Sequence, residues 1–143
     1  MQSWKSIYFA PPQLDAGLLI LRVMAGFSLF LRHGLEKAVG FSQMAAHFPN
    51  PLHIGPVPSL AFALVSDAIC SILLILGLGT RIAAAWIAFN LIVALTFIHH
   101  FAFFGPRNGE VPWIYLAIAL LLVLTGAGKF SLDYLLRRLK PSE

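Results

Sequence analysis

Residues 82–104 read IAAAWIAFNLIVALTFIHHFAFF, with no Lys, Arg, Asp or Glu among them. At about 1.5 Å per residue a helix of that length extends roughly 34 Å, enough to cross a hydrocarbon core about 30 Å thick. A spanning strand needs only about 9 to 11 residues of alternating character, and here the apolar residues run on without alternation. In lipid an isolated strand leaves its backbone groups unsatisfied and a helix does not, so the stretch is expected to be a membrane-spanning helix.

Working outward, three more apolar blocks appear, and the expected spans are about residues 14–33, 58–78, 82–104 and 111–127. The first contains Arg22 deep within it, and the second contains one charge, Asp67, and opens at Pro58, where a helix tolerates proline best. The chain is 59% hydrophobic and 11% charged, with a mean hydropathy of +0.82, far from the composition of a soluble domain. The expected fold class is therefore all-α: an integral membrane four-helix bundle forming one domain over residues 1–143. The first block is read as retained, not as a signal peptide, since Arg22 interrupts it and His33, Gly34, Glu36 and Lys37 follow in place of a cleavage site.

Basic residues orient the bundle. In this topology Lys5, Arg81, Lys129, Arg137, Arg138 and Lys140 fall on one side, and Arg32, Lys37 and Arg107 on the other, so both termini are expected in the cytoplasm. The net charge of +4 is then mainly a topology signal; Arg137, Arg138 and Lys140 read as an anchor near anionic headgroups, and without a recognisable module no nucleic-acid partner is expected. Spans two and three are joined by little more than Gly79, Thr80 and Arg81, which makes them antiparallel neighbours. The outer loop, residues 34–57, is expected to carry an interfacial amphipathic helix in its first half, with Leu35, Val39, Phe41, Met44 and Phe48 on its apolar side. Pro49, Pro51 and Pro56 exclude a regular helix from its second half.

Charges inside the spans are the costly residues, each opposing insertion by roughly 2.5 to 3.5 kcal/mol near the bilayer centre. Arg22 and Asp67 differ in depth by roughly 4 to 5 Å at the helical rise, within reach of an Arg side chain. Two readings stay open: a buried Arg22–Asp67 pair that locks two helices, or a charge held for an anionic ligand or proton transfer. Gly26 and His33 share the face of Arg22, and Ser71 lies one turn beyond Asp67, so a polar stripe with close helix packing is expected there. His33, His47, His53, His99 and His100 all fall on the outer half, with Glu36 and Glu110. They suit metal binding, proton exchange with a quinone or a pH response, or are simply interfacial. No spacing among them is a metal signature, and no metal is expected. Cys70 is single, so thiol–disulfide chemistry by this chain alone is not expected. Trp4, Tyr8, Phe9, Trp113 and Tyr115 fit interfacial aromatic belts.

Three stretches carry a family resemblance. Leu21-Arg22-Val23-Met24-Ala25-Gly26, followed by His33-Gly34-Leu35-Glu36-Lys37, is similar to the opening of the DoxX family. Asp67 to Arg81, ending Leu76-Gly77-Leu78-Gly79-Thr80-Arg81, resembles that family's second helix and turn, and Gly126 to Asp133 resembles its closing GxGxxSLD pattern. The resemblance covers nearly the whole chain. It implies a small four-helix bacterial inner-membrane protein, of a kind linked in some relatives to thiosulfate-to-quinone electron transfer and in others to complexes handling oxidative or thiol stress. The family pattern carries over onto Arg22, Gly26, His33, Gly34, Lys37 and the acid of the second helix, commonly Glu and here Asp67.

Two functions follow as expectations. In the first, the chain is a small subunit or accessory of a membrane redox system that binds a quinone or a thiosulfate-like oxyanion between helices one, two and three. Arg22 supplies charge, Asp67 orients it, Glu36, Lys37 and Ser71 extend the polar face, and His33 with His99 or His100 exchanges protons. In the second, the chain is a non-catalytic anchor or organiser of a complex. The lipid bilayer is the partner in both; membrane redox subunits and further copies of the chain are the protein partners considered.

Overall fold

Glycine and proline punctuate the chain where helices start and stop. Gly55, at φ +106°, precedes a helix that begins on Pro56, whose missing N–H is one the first turn would leave unbonded anyway. Twenty residues later the same helix ends at Leu76, and Gly77 turns left-handed at φ +68° while the Leu78 N–H donates back to the Leu73 carbonyl at 3.0 Å. Gly79 is left-handed as well, at φ +56°, and the next helix starts at Thr80. Two left-handed residues this close suit glycine, which reaches that conformation without a steric penalty.

The computed structural model describes residues 13–139, which are helix and connection with no strand. Helix α1 runs Leu14–Val39, α2 is the short Phe41–Met44, α3 is Pro56–Leu76, α4 is Thr80–Ile98, α5 is Glu110–Thr125 and α6 is Leu132–Leu139. Helices α1, α3 and α4 are long and apolar enough to cross a membrane; α5, equally apolar, is 16 residues long. Trp4, Lys5, Tyr8, Phe9 and Lys140 lie outside the described residues.

Helix α1 runs past the expected end near residue 33. No proline stands before Gly40, and the helix continues past Gly34, which keeps a right-handed backbone, through a π-helical turn at Phe30–Gly34 into Leu35–Val39. Leu35–Val39, expected to open a separate interfacial helix, is therefore the last part of α1, and only Phe41–Met44 forms a short helix beyond it. Two further π-helical turns interrupt α3 at Val65–Cys70 and end α4 at Ala94–Ile98.

Packing is set by small residues. Ala83, Ala84 and Ala88 of α4 are buried with Ile87 and Leu91 against Leu116, Ala119 and Leu122 of α5. Between α1 and α3 the backbones nearly touch: a Cβ on Gly26 would lie 2.8 Å from the Ser71 carbonyl oxygen, and one on Gly34 would meet the backbone of Asp67 and Ala68. Glycines permit such approach between helices that have no hydrophobic reason to associate in lipid. Outward-facing side chains remain apolar, including Met24, Phe27, Ile82, Phe89 and Leu124, a surface suited to lipid and not to water.

Candidate functional site

Arg22 and Asp67 are both buried, and they do not meet. Arg22 Nη1 donates to the carbonyls of Leu74 at 3.0 Å and Ile75 at 2.6 Å, and Nη2 donates to the carbonyl of Phe130. The last carbonyls of a helix have no intrahelical donor and carry the negative end of its dipole, so Arg22 serves as a cap on α3 supplied by a neighbouring helix. Asp133 acts in the opposite sense on the next helix, accepting from the N–H groups of Gly79 at 2.8 Å and Thr80 at 3.2 Å, while its own N–H donates to Gly77 O at 2.9 Å. Together they clamp the turn between α3 and α4 to the segment that follows α5. The expected Arg22–Asp67 pair is absent because main-chain acceptors, invisible in a residue pattern, lie closer to the guanidinium.

The partner of Asp67 is Lys37. Its Nζ lies 2.8 Å from Asp67 Oδ2, with the two side chains 12% and 7% exposed, and it also donates to the His33 carbonyl at 3.3 Å. Asn90 Nδ2 of α4 donates to Asp67 Oδ1 at 3.3 Å, so three helices meet on one carboxylate. A buried ion pair opposes its own desolvation only when extra hydrogen bonds complete it, and here the Asn90 amide and a helix carbonyl do so. Continuation of α1 through its π turn is what brings Lys37 over Asp67; both carboxylate and lysine thus depend on π-helical distortions, which recur at functional sites.

These groups line a cavity of about 620 Å³. Its walls are largely apolar, with Phe48, Leu52, Phe62, Leu91 and Val111 among them, and each of the three π turns contributes lining residues: His33, Asp67, and Ala94 with Ile98. Polar groups enter at separate points. Ser28 Oγ and Tyr115 Oη form a 2.6 Å hydrogen bond, and His99 Nδ1 lies 3.1 Å from the Arg107 carbonyl. A concave apolar space with a few fixed polar groups is the usual form of a small-molecule site.

The expected site residues therefore divide. Asp67, Lys37, His33 and His99 share the cavity, joined by Asn90 and Tyr115, which the residue pattern had not singled out as site members. Asn90 carried a signal, as the one amide in the otherwise apolar body of α4. Gly26 and Ser71 make the α1–α3 contact, Glu36 forms an exposed pair with Arg32 at 4.0 Å, and His100, at φ +50°, is not among the lining residues. Among the described residues no three His, Cys, Asp or Glu side chains gather as a metal site.

The family model for DoxX matches residues 17–100, which hold Arg22, Lys37, Asp67 and Asn90. The chain belongs to the DoxX family. Among its relatives, a Haemophilus influenzae protein described as uncharacterized is 35% identical over 132 residues, covering 88% of this chain and 87% of its own. The Escherichia coli inner membrane protein YphA is 32% identical over 126 residues, covering 81% of this chain and 88% of its own. No solved structure matches. With three helices of spanning length, this DoxX-family chain is a membrane protein. The family match holds the whole Lys37–Asp67–Asn90 cluster, whereas Asp133 of the clamp lies beyond it.

Proposed function

We propose that this DoxX-family protein holds a lipid-soluble quinone in the cavity lined by Lys37, Asp67 and Asn90, as the small subunit or accessory of an inner-membrane redox system. The observation that carries the reading is a nearly buried ion pair at the wall of an apolar cavity of about 620 Å³. A quinone head presents two carbonyl oxygens that need donors, and its reduced form presents hydroxyls that need acceptors. Lys37 and Asn90 donate and Asp67 accepts, so the cluster can serve both forms, and the apolar walls suit an isoprenoid tail. Tyr115, His33 and His99 offer hydroxyl and imidazole groups for proton exchange as the head changes state. In this reading electrons come from a partner enzyme of the same membrane. A thiosulfate-like oxyanion is less well served, because Lys37 is already neutralised by Asp67 and the other cation of the lining, Arg32, is exposed to solvent beside Glu36.

In this reading α5 is a fourth crossing, short at 16 residues, and both termini are cytoplasmic in the bacterial inner membrane. Arg81, Lys129 and Arg137 at one end of the bundle favour that orientation. The test is titration of purified protein in lipid nanodiscs with a short-chain quinone, followed by tryptophan fluorescence. Lys37→Met with Asp67→Leu removes both charges without stranding either, and it is expected to keep the fold and weaken binding at least about tenfold, the loss of one charged hydrogen bond. Equal affinity in wild type and double variant ends the quinone reading. The organiser reading has its own support: both terminal nitrogens of Arg22, which is 1% exposed, are engaged by main-chain carbonyls, and its one unpartnered nitrogen, Nε, is buried within the helix packing. Copurification of the same protein partners with wild type and the Lys37–Asp67 double variant, with no quinone retained by either, would favour it.

A further inference from the structure

The opposite end of the bundle holds a second cavity, about 250 Å³, between the start of α1, the start of α4 and the Gly126–Ser131 connection. Arg81, Lys129 and Arg137 line it with Asp15 and Asp133. Both carboxylates are already engaged within the protein. Asp133 accepts from Gly79 and Thr80, and Asp15 accepts from the Lys129 N–H at 2.9 Å and lies 3.6 Å from Lys129 Nζ. Arg81 gives one Nη2 bond to the Leu124 carbonyl at 3.1 Å, and its guanidinium rests against Gly126, which is held at φ +77°. Five N–H donors sit on an Arg side chain, so most of those on Arg81 remain beyond this bond.

A second observation says where the cavity lies. Helix α6 carries Leu132, Leu135, Leu136 and Leu139 on one side, all exposed, and Arg137 and Arg138 on the other. An eight-residue helix of this kind has an apolar face with no cover among the described residues, and it follows the 16-residue apolar helix α5 after the Gly126–Ser131 connection. Such helices lie in the plane of the bilayer, leucines toward the acyl chains and cations toward the headgroups. Arg137 lies on the polar side of α6 and also lines the cavity, so the cavity opens at headgroup depth.

We propose that this cavity is a binding site for the phosphate of an anionic phospholipid, gripped by Arg81 and Arg137 and flanked by Lys129, with the acyl chains following the exposed leucines of α6. A guanidinium pair meets phosphate oxygens with paired donors, which sets the site apart from a diffuse attraction between a basic helix and a negative surface. Arg138 supplies the control. It neighbours Arg137 on the same helix, carries the same charge and stacks over the Tyr134 ring at 4.9 Å, but does not line the cavity.

The experiment is native mass spectrometry of the full chain released from nanodiscs of phosphatidylglycerol and phosphatidylcholine with matched chains. Both lipids carry a phosphodiester, but the choline cation of phosphatidylcholine is repelled by Arg81, Lys129 and Arg137, so wild type is expected to retain phosphatidylglycerol preferentially, and the exposed Arg137→Gln to reduce that retention about tenfold, the loss of a charge-assisted hydrogen bond to the phosphate. Arg138→Gln is expected to leave it unchanged. Arg81→Gln carries the same expectation as Arg137→Gln, and Arg81→Lys, which keeps the charge and a donor for Leu124, separates weakened binding from lost folding. Equal losses for Arg137→Gln and Arg138→Gln would reduce the effect to surface attraction and overturn the site. Uptake of inorganic phosphate with no preference between the two lipids would assign the cavity to a soluble anion and overturn the lipid assignment. Quinone binding at the far cavity plays no part in either result.

Discussion

Two buried charges, one at each end of the same bundle, are handled in different ways. Arg22 is 1% exposed and ends on three main-chain carbonyls, with the turn it caps held from the other side by Asp133. Asp67 is 5% exposed and ends on two side chains, Lys37 and Asn90, in the wall of a large cavity. Burial and intramembrane position are common to both, so neither marks a site. What separates them is what the charge faces: one completes the backbone of a helix end, and the other can exchange a side-chain partner for a ligand group.

The comparison is broken most forcefully at Lys37. Lys37→Met or Asp67→Leu alone leaves a charge stranded in an apolar wall and is expected to lower stability by about 3 to 5 kcal/mol, whereas the double variant recovers most of the loss. Thermal unfolding in one detergent reads all three, and the coupling between the two sites should exceed about 1 kcal/mol. Absence of coupling would mean that the pair is not formed in the membrane.

Arg22→Met should cost roughly 3 kcal/mol, since several charge-assisted bonds vanish and the carbonyls of Ile75 and Phe130 lose the guanidinium, while that of Leu74 keeps only the Gly77 N–H. Its effect should add to that of Asp67→Leu with coupling below about 0.5 kcal/mol, as for distant sites that share no partner. A large coupling would restore the direct Arg22–Asp67 pair that side-chain reach had suggested.

Much of this was legible beforehand. The apolar runs announced the helices, the positions of Arg22 and Asp67 announced that both must be satisfied, and the DoxX-like stretches were in view. Partner identity was not legible, because helix depth ties Arg22 and Asp67 within a few ångströms while main-chain carbonyls leave no mark in a residue pattern. Nor were the π turns, since Phe30–Gly34, with Arg32 and His33 before a glycine, reads like an ordinary end of a membrane helix, and only its continuation to Val39 lifts Lys37 out of the loop and onto Asp67. Asn90 was readable as an amide in an apolar helix, yet its target depended on how α4 rotates against α3.

Smaller effects sharpen the same contrast through the glycines that bring α1 onto α3. Gly34→Ala drives a methyl into the backbone of Asp67 and Ala68, atoms that no rotamer can move, and the expected loss is about 2 to 3 kcal/mol with altered ligand binding at the cavity. Gly26→Ala meets the Ser71 carbonyl at 2.8 Å and the Ile75 side chain at 2.9 Å, one of which is flexible, so about 1 to 2 kcal/mol is expected without a change in binding. Unfolding curves and quinone titrations on the two variants distinguish the site-bearing half of the interface from the packing half. Equal effects on binding would show that the whole of α1, and not its cavity end, controls the site.

Smallest of all is the exposed pair. Arg32 Nη1 lies 4.0 Å from Glu36 Oε2, but those side chains are 78% and 55% exposed, and water screens their attraction. Glu36→Gln is therefore expected to change stability by less than about 0.5 kcal/mol, although Glu36 stands one residue before Lys37 and belongs to the same resembling stretch. Quinone affinity should be equally unmoved, because Glu36 does not line the cavity. If Glu36→Gln weakened binding as much as the loss of the Lys37–Asp67 pair, the working charge would have to be Arg32, which lines the cavity while its guanidinium stays exposed beside Glu36. The distinction between a charge that faces the cavity and one that faces water would then fail at the very helix where it is sharpest.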